Sequence, residues 1–186
     1  KHVVVDKPFT VTLSEGRLLK KLADEKERLL SVFHNRRWDS DFLTVKALLE
    51  AGTLGRVVNV ESHFDRFRPE VRDRWREKAT PGGGIWYDLG PHLLDQACEL
   101  FGMPQAILLE LCTLRDGAKT DDDFLALLDY EDFRVTLAAG TLVADPTPRF
   151  RINGTQGSFV KYGLDPQEDR LKAGEVPTSQ WGIDSQ

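Results

Sequence analysis

Residues 123–143 read DFLALLDYEDFRVTLAAGTLV, two apolar runs separated by a short acidic pair. Runs rich in Phe, Leu and Val with a few polar residues between them are typical of a β-hairpin, here with its turn at Glu131 and Asp132. Strands joined by so short a turn must be antiparallel. The stretch NGTQG, within RFRINGTQGSFVKYG at residues 149–163, predicts a second hairpin in the same way.

Helical patterns lie mostly earlier in the chain. Apolar residues recur at helical spacing in residues 14–30, 39–55 and 89–101. LSVFHNRRW at residues 30–38 and RVVNVESHFDRF at residues 56–67 are interpreted as strands, with alternate side chains on opposite faces. Helices that come early and hairpins that come late predict an α+β fold. We expect a mainly antiparallel, open-faced sheet with helices packed on one side.

The composition is that of a soluble globular chain. Its 186 residues are 40% hydrophobic and 30% charged, which suits one well-cored domain and is short for two. A net charge of −5 argues against nucleic-acid binding, and no apolar run approaches the roughly 20 residues of a membrane span. Cys98 and Cys112 are interpreted as free thiols, so we expect a cytoplasmic protein. No close metal-ligand spacing links the histidines, and we expect no metal site.

Residues 81–96, PGGGIWYDLGPHLLDQ, contain the candidate chemistry. On a helical projection, Asp88 and His92 lie opposite an apolar stripe and face outward or into a cleft. Pro91 predicts the helix start, which would put Asp88 near the N-cap. Two interpretations stay open. Asp88 is a cap beside a solvated histidine, or the pair lines a cleft in which neutral His92 acts as a general base. The apolar stripe comprises Trp86, Leu89, Leu93, Ala97 and Leu100.

Four motifs resemble, in order, those of the Gfo/Idh/MocA family (glucose–fructose oxidoreductase and inositol dehydrogenase). VVVDKPFTVT resembles the family's Glu-Lys-Pro segment at the end of a Rossmann strand, although Asp6 replaces the glutamate. GTLGRVV resembles its helix–strand junction, GGGIWYDLGPHLLDQ its Asp-x-Gly-x-His-x-x-Asp signature, and RINGTQGSF its later turn. The resemblance implies that residues 1–10 are the remnant of an N-terminal Rossmann domain. Residues 11–186 would form the substrate-binding and oligomerising domain. The unpaired HVVV strand would then be displaced or paired anew.

The resemblance also implies an activity, the NAD(P)-dependent oxidation of a sugar, polyol or related hydroxy compound by hydride transfer. Lys7 would lie between nicotinamide and substrate, with Pro8 beside it at the cofactor. His92 would exchange the proton of the reacting hydroxyl, and Asp88 would orient the substrate or His92. A lysine ammonium suits this position because it can stabilise a developing alkoxide.

No G-x-G-x-x-G phosphate-binding turn occurs in the chain. We therefore expect NAD or NADP to be bound mainly by a domain that this chain lacks, and the isolated chain to be inactive. The alternative hypothesis is a non-catalytic binding or dimerisation module of the same fold.

Further substrate-binding candidates follow from the resemblance, in which the strand at residues 30–38 borders the substrate cleft. They are Asn35 and Arg36, together with Trp86 from the glycine-rich motif. The basic segment RFRPEVRDRWREK, residues 66–78, has two interpretations. It is either a lid that attracts an anionic substrate or a salt-bridged surface loop.

The open face of the sheet needs a cover, because large exposed apolar patches are uncommon in monomers. We expect four residues to lie on this face and to form a homodimer or a higher oligomer through it. They are Leu125, Leu127, Val135 and Leu137.

Overall fold

The computed structural model describes residues 1–145, 147–178 and 181. It contains a parallel pair of strands and a six-stranded sheet. The helices are α1 (Leu13–Glu25), α2 (Ser40–Glu50), α3 (Ile85–Phe101) and α4 (Gln167–Lys172), with 3-10 turns at Asn35–Trp38 and Trp75–Glu77. The strands are β1 (Val3–Asp6), β2 (Leu30–Phe33), β3 (Val57–His63), β4 (Ala106–Cys112), β5 (Asp123–Asp129), β6 (Arg134–Gly140), β7 (Phe150–Gly154) and β8 (Ser158–Lys161).

The larger sheet has the order β4-β5-β6-β3-β7-β8, and only the β3–β6 pair within it is parallel. Both predicted hairpins are present, one joining β5 to β6 and the other joining β7 to β8. Helix α3 precedes the hairpins and packs on one face of the sheet, against β5 and β6, and the short α4 follows the hairpins. The predicted α+β fold is therefore confirmed.

The face that packs on the helices is set by the register of the β5–β6 hairpin. Leu128 pairs with Val135 and Ala126 with Leu137, and all four side chains are buried. Val135 and Leu137 thus lie on the core face, and their predicted place on the open face is wrong. Paired residues point to the same face of the sheet. In this register the odd-numbered residues of β6 pair with the even-numbered residues of β5, which face the core, so Val135 and Leu137 face the core as well.

The first strands form a separate unit. β1 pairs in parallel with β2, from Val3 opposite Leu30 to Asp6 opposite Phe33, and α1 connects the two strands. A capping box between Thr12 and Glu15 starts α1, which has no buried residue in the described structure. The boundary at residue 10 stays a prediction. The strand pairing places residues as far as Phe33 in this parallel unit, and the predicted end at residue 186 lies outside the described residues.

Helix α3 begins at Ile85, earlier than predicted. The carboxylate of Asp121 accepts the backbone N–H of Trp86 at 2.7 Å and thereby satisfies the start of the helix from outside it. Gly84 has φ 95°, and a Cβ there would lie 1.9 Å from the Asp121 carboxylate, so only glycine fits. Pro91 consequently lies inside the helix, and Asp88 belongs to the first turn rather than the N-cap.

The segment predicted as a strand at residues 30–38 is a strand only as far as Phe33. Its second half, Asn35–Trp38, is a 3-10 turn whose residues therefore do not alternate between two sheet faces. Helix α2 follows at once, and Asp165 accepts hydrogen bonds from Ser40 N (3.1 Å) and Ser40 Oγ (2.5 Å) at its first residue. Among the described residues, no helix combines the length and apolar character needed to cross a membrane.

The buried face of β5 leads to a stability prediction. Leu128 is 0% exposed, so Leu128→Ala should lower the free energy of unfolding by about 2–5 kcal/mol through lost burial and the cavity it leaves. Leu171→Ala, on the exposed side of α4, is the control and should change it by less than about 1 kcal/mol. Urea denaturation measures both. Similar losses in the two variants would contradict this assignment of the core face.

Candidate active site

Lys7 follows β1 directly and reaches the first turn of α3. Its Nζ donates a hydrogen bond to the backbone carbonyl of Asp88 and lies 3.5 Å from Asp88 Oδ1. Only 10% of the Lys7 side chain is exposed. Burial lowers the pKa of Lys7, and the Asp88 carboxylate partly opposes that shift. Asp6 accepts the Lys7 backbone N–H at 3.0 Å, so its carboxylate serves the local turn before Pro8.

Asp88 connects three parts of the structure. It is in α3, it binds Lys7 from the turn after β1, and its Oδ1 lies 3.2 Å from Arg76 Nε in the basic segment. The guanidinium of Arg76 in turn lies over the ring of Trp75, 4.9 Å from its centroid. One carboxylate thus compensates two cations from separate parts of the chain.

His92 lies one helical turn after Asp88 and is 6% exposed. Burial, the largest cause, lowers the pKa of His92 to about 3, and the positive charges of Lys7 and Arg36 lower it further. Its Nδ1 is buried without a hydrogen-bond partner among the described residues. His92 is therefore neutral and enclosed. The interpretation of a helix cap beside a solvated histidine does not fit.

The substrate-binding candidates fall in two places. Asn35 and Arg36 belong to the 3-10 turn that faces α3. Arg36 pairs with Asp39 at 3.2 Å and lies close enough to His92 to lower its pKa. Trp86 packs edge-on against Phe124 at 5.0 Å between ring centroids, and it also lines a separate open pocket. The structure thus brings Lys7, Asp88, His92 and Arg36 together and leaves Trp86 at the core.

Sequence reasoning did not identify Arg149, the largest fully buried side chain of the described structure. It donates hydrogen bonds to Gln96 Oε1 at 2.6 Å and to the hydroxyl of Ser62, and its Nε lies 3.3 Å from the carboxylate of Asp41. The rings of Phe64 and Phe150 lie 3.9 and 4.1 Å from its guanidinium carbon. Arg149 therefore links α2, α3 and β3 through one buried charge.

Gln96 transmits this arrangement to the candidate site. Its Oε1 accepts from Arg149, and its Nε2 donates to the backbone carbonyl of Arg36 at 2.8 Å. Arginine only donates and a carbonyl only accepts, so both bonds fix the orientation of the amide. Gln96 lies one turn after His92 in the same motif, and its helical spacing was the signal available in the sequence.

The depressed pKa of His92 generates a pH prediction. In the unfolded chain His92 becomes protonated below its ordinary pKa of 6.5, whereas in the folded protein it stays neutral until the pH falls to about 3. The folded state therefore loses stability as the pH falls from about 6.5 to 3. The His92→Gln variant has no titratable group at this position and therefore lacks this pH-dependent loss of stability. Relative to the variant, wild type should lose about 2–3 kcal/mol of unfolding free energy between pH 6.5 and 4.5. Urea titrations at several pH values test it, and a constant difference between the two proteins would contradict it.

Comparison with known proteins places this geometry in a family. A family model described as the GFO/IDH/MocA C-terminal domain matches residues 42–160. "Uncharacterized oxidoreductase YdgJ" of Escherichia coli is 61% identical over 99% of this chain, which covers 54% of that protein. "scyllo-inositol 2-dehydrogenase (NADP(+)) IolW" of Bacillus subtilis is 48% identical over 99% of this chain and 52% of its own length.

A solved structure agrees. The crystal structure of an oxidoreductase from Bacillus cereus matches with a TM-score of 0.89 and 38% identity, covering 100% of this chain and 54% of that one. The chain spans about half the length of the curated relatives it matches. On these matches, the chain belongs to the Gfo/Idh/MocA family of oxidoreductases, and residues 42–160 correspond to the family's C-terminal domain.

Proposed function

We propose that this chain is the substrate-binding part of an NAD(P)-dependent oxidoreductase that acts on a sugar, polyol or related hydroxy compound by hydride transfer. One observation carries the proposal. The ammonium of Lys7 is held against the first turn of α3 by Asp88, and neutral His92 lies one turn further along the same helix. An enclosed cation beside an enclosed base is the pair that alcohol oxidation requires.

The roles of these side chains follow from the reaction. A bound nicotinamide accepts the hydride from the carbinol carbon. His92 takes the hydroxyl proton, for which the neutral imidazole is already in the correct state. Lys7 stabilises the negative charge that develops on the oxygen, and the Asp88 carboxylate keeps Lys7 protonated and in place. Arg36 donates to other oxygens of the substrate.

The residues at the start of the chain could contact the nicotinamide of a dinucleotide, but they do not form a binding site for its phosphates. Lys7 and Pro8 directly follow a strand whose partner is parallel, a position typical of ligand sites in nucleotide-binding sheets. The glycine-rich turn that would hold a pyrophosphate has no counterpart here. We therefore assign the phosphates to a part of the protein outside this chain. The name of the Bacillus relative, an NADP(+)-linked inositol dehydrogenase, supports this class of cofactor and substrate.

The decisive experiment is kinetic. In the full-length protein, screened with NAD and NADP against a panel of sugars and polyols, His92→Asn should lower kcat on the order of 100-fold, the typical contribution of a positioned acid–base group. His2→Asn, just before β1, where its side chain bonds to Leu29, is the matched control, and its kcat should stay within about twofold of wild type. Activity of His92→Asn within about twofold of wild type would contradict the assignment. Absence of any activity in wild type would favour a non-catalytic binding or dimerisation module.

Self-association through the open face of the sheet forms the second part of the proposal. Leu125 and Leu127 lie on this face, and Leu108 of the edge strand β4 pairs with Leu127 there. Leu108 is 67% exposed and Leu125 is 42% exposed in the single chain. A two-fold partner placed on these leucines would cover them.

Light scattering tests the assembly. At high protein concentration wild type should have the mass of a dimer or a larger symmetric oligomer, and Leu125→Glu should shift it toward the monomer, because a charge would enter an apolar contact. Leu171→Glu, on α4, is the control and should leave the mass unchanged. A monomeric wild type would rule out this use of the face.

A further inference from the structure

A small cavity lies beside Asp88, and charged side chains form most of its wall. Its volume is about 20 Å³, which holds little more than one water-sized group. Gly84 and Ile85, at the start of α3, also line it. The cations of the wall are Arg66, Arg74, Arg76 and Arg115, and the carboxylates are Glu77, Asp88, Asp121 and Asp122.

The carboxylates of the wall other than Asp88 already have partners. Asp122 and Glu77 hold Arg115, at 2.9 and 3.2 Å, and Glu77 also holds Arg74 at 2.7 Å. The Asp121 carboxylate accepts the backbone N–H of Trp86, and the Asp121 backbone carbonyl accepts that of Ile85. Cations and carboxylates are equal in number on the wall, and each of these three carboxylates already contacts another group.

Asp88 is engaged as well. It binds Lys7, which lies outside the cavity wall, in addition to Arg76. With Lys7 included, the charges around Asp88 are therefore positive in sum, and one guanidinium of the wall lacks a carboxylate of its own.

That guanidinium belongs to Arg66. Within the described part of the chain, its side chain forms no hydrogen bond and no ion pair. Burial and the nearby Arg68 lower the pKa of Arg66, and Asp88 is the carboxylate that opposes them. A guanidinium has five N–H donors and no acceptor, so partial burial without an oxygen partner is unfavourable. Arg66 thus lies beside the candidate site with its donors unused.

We propose that Arg66 binds an oxyanion of the substrate, a carboxylate or a phosphate, so that the substrate is an acidic sugar rather than a neutral polyol. The inference rests on the proposed function and narrows its substrate class. A planar guanidinium matches paired oxygens and favours an anion over a single hydroxyl. Arg68, Arg74 and Arg36 add positive potential at the same place. The cavity is too small for the whole anion, which lies at its mouth, where Arg76 is 44% exposed.

This position also fits the reaction geometry. Arg66 and Asp88 line one cavity, and Asp88 contacts Lys7 directly. A sugar whose anionic group lies on Arg66 would therefore extend its hydroxyl-bearing carbons past Asp88 toward Lys7 and His92. The anion fixes one end of the substrate, and the candidate base works on the other.

Inorganic phosphate is the first probe, since its binding does not depend on catalysis. At matched ionic strength, replacing chloride by phosphate should raise the Tm of the full-length protein by about 3 °C, as binding to the native state alone requires. Arg66→Gln should abolish the rise. Arg72→Gln removes a charge from the same segment outside the cavity and should retain it. No rise in wild type, or an equal rise in all three proteins, would overturn the proposal. Unchanged Tm values in chloride establish that the variants are folded.

Turnover separates the two sources of the anion. We compare kcat/KM for glucose, glucuronate and glucose 6-phosphate in wild type and Arg66→Gln. The variant should lose about tenfold or more on whichever acidic sugar wild type prefers, the usual effect of a charged hydrogen bond, and stay within about twofold on glucose. Equal losses on all three, or a wild-type preference for glucose, would overturn the proposal. If phosphate binds through Arg66 but no sugar is oxidised, the proposed function fails while the anion site stands.

Discussion

The contact between the Lys7 ammonium and the first turn of α3 is the interaction on which the candidate site depends. Lys7 belongs to the parallel β1–α1–β2 unit, whereas Asp88 and His92 belong to the domain built on the six-stranded sheet. The carbonyl and the carboxylate of Asp88 both attract the ammonium, and burial strengthens the attraction by excluding water. The fold thus places the cation and the base from separate units within one small region.

A second buried cation, Arg149, helps to position the residues around Lys7. Arg149 is enclosed by Phe64 and Phe150 and orients Gln96, which holds the backbone of Arg36. Removing one partner of such a buried network lowers the free energy of unfolding by more than the intact network contributes, because the remaining charge is buried without water or a partner to compensate it. The 3-10 turn that contains the candidate residue Arg36 is therefore held in position from the core of the sheet.

The sequence predicted the fold class and both hairpins, since turn residues report on local geometry. It misplaced Val135 and Leu137, because strand register is a tertiary property that alternation alone does not determine. It placed the start of α3 too late, because the cap comes from Asp121, more than 30 residues along the chain. The sequence did not predict the role of Arg149, because no local pattern identifies a buried charge whose partners, such as Asp41, are distant in the chain.

Lys7 and His92 are proposed to act on the same proton-transfer step. A double-mutant cycle of kcat in the full-length protein tests this proposal most directly, with Lys7→Met, His92→Asn and the combined variant. If the two side chains work as a unit, the combined variant should lose little more activity than the more impaired single variant. Independent losses that multiply in the combined variant would contradict the account and reduce the Lys7–Asp88 contact to a structural link between the two units.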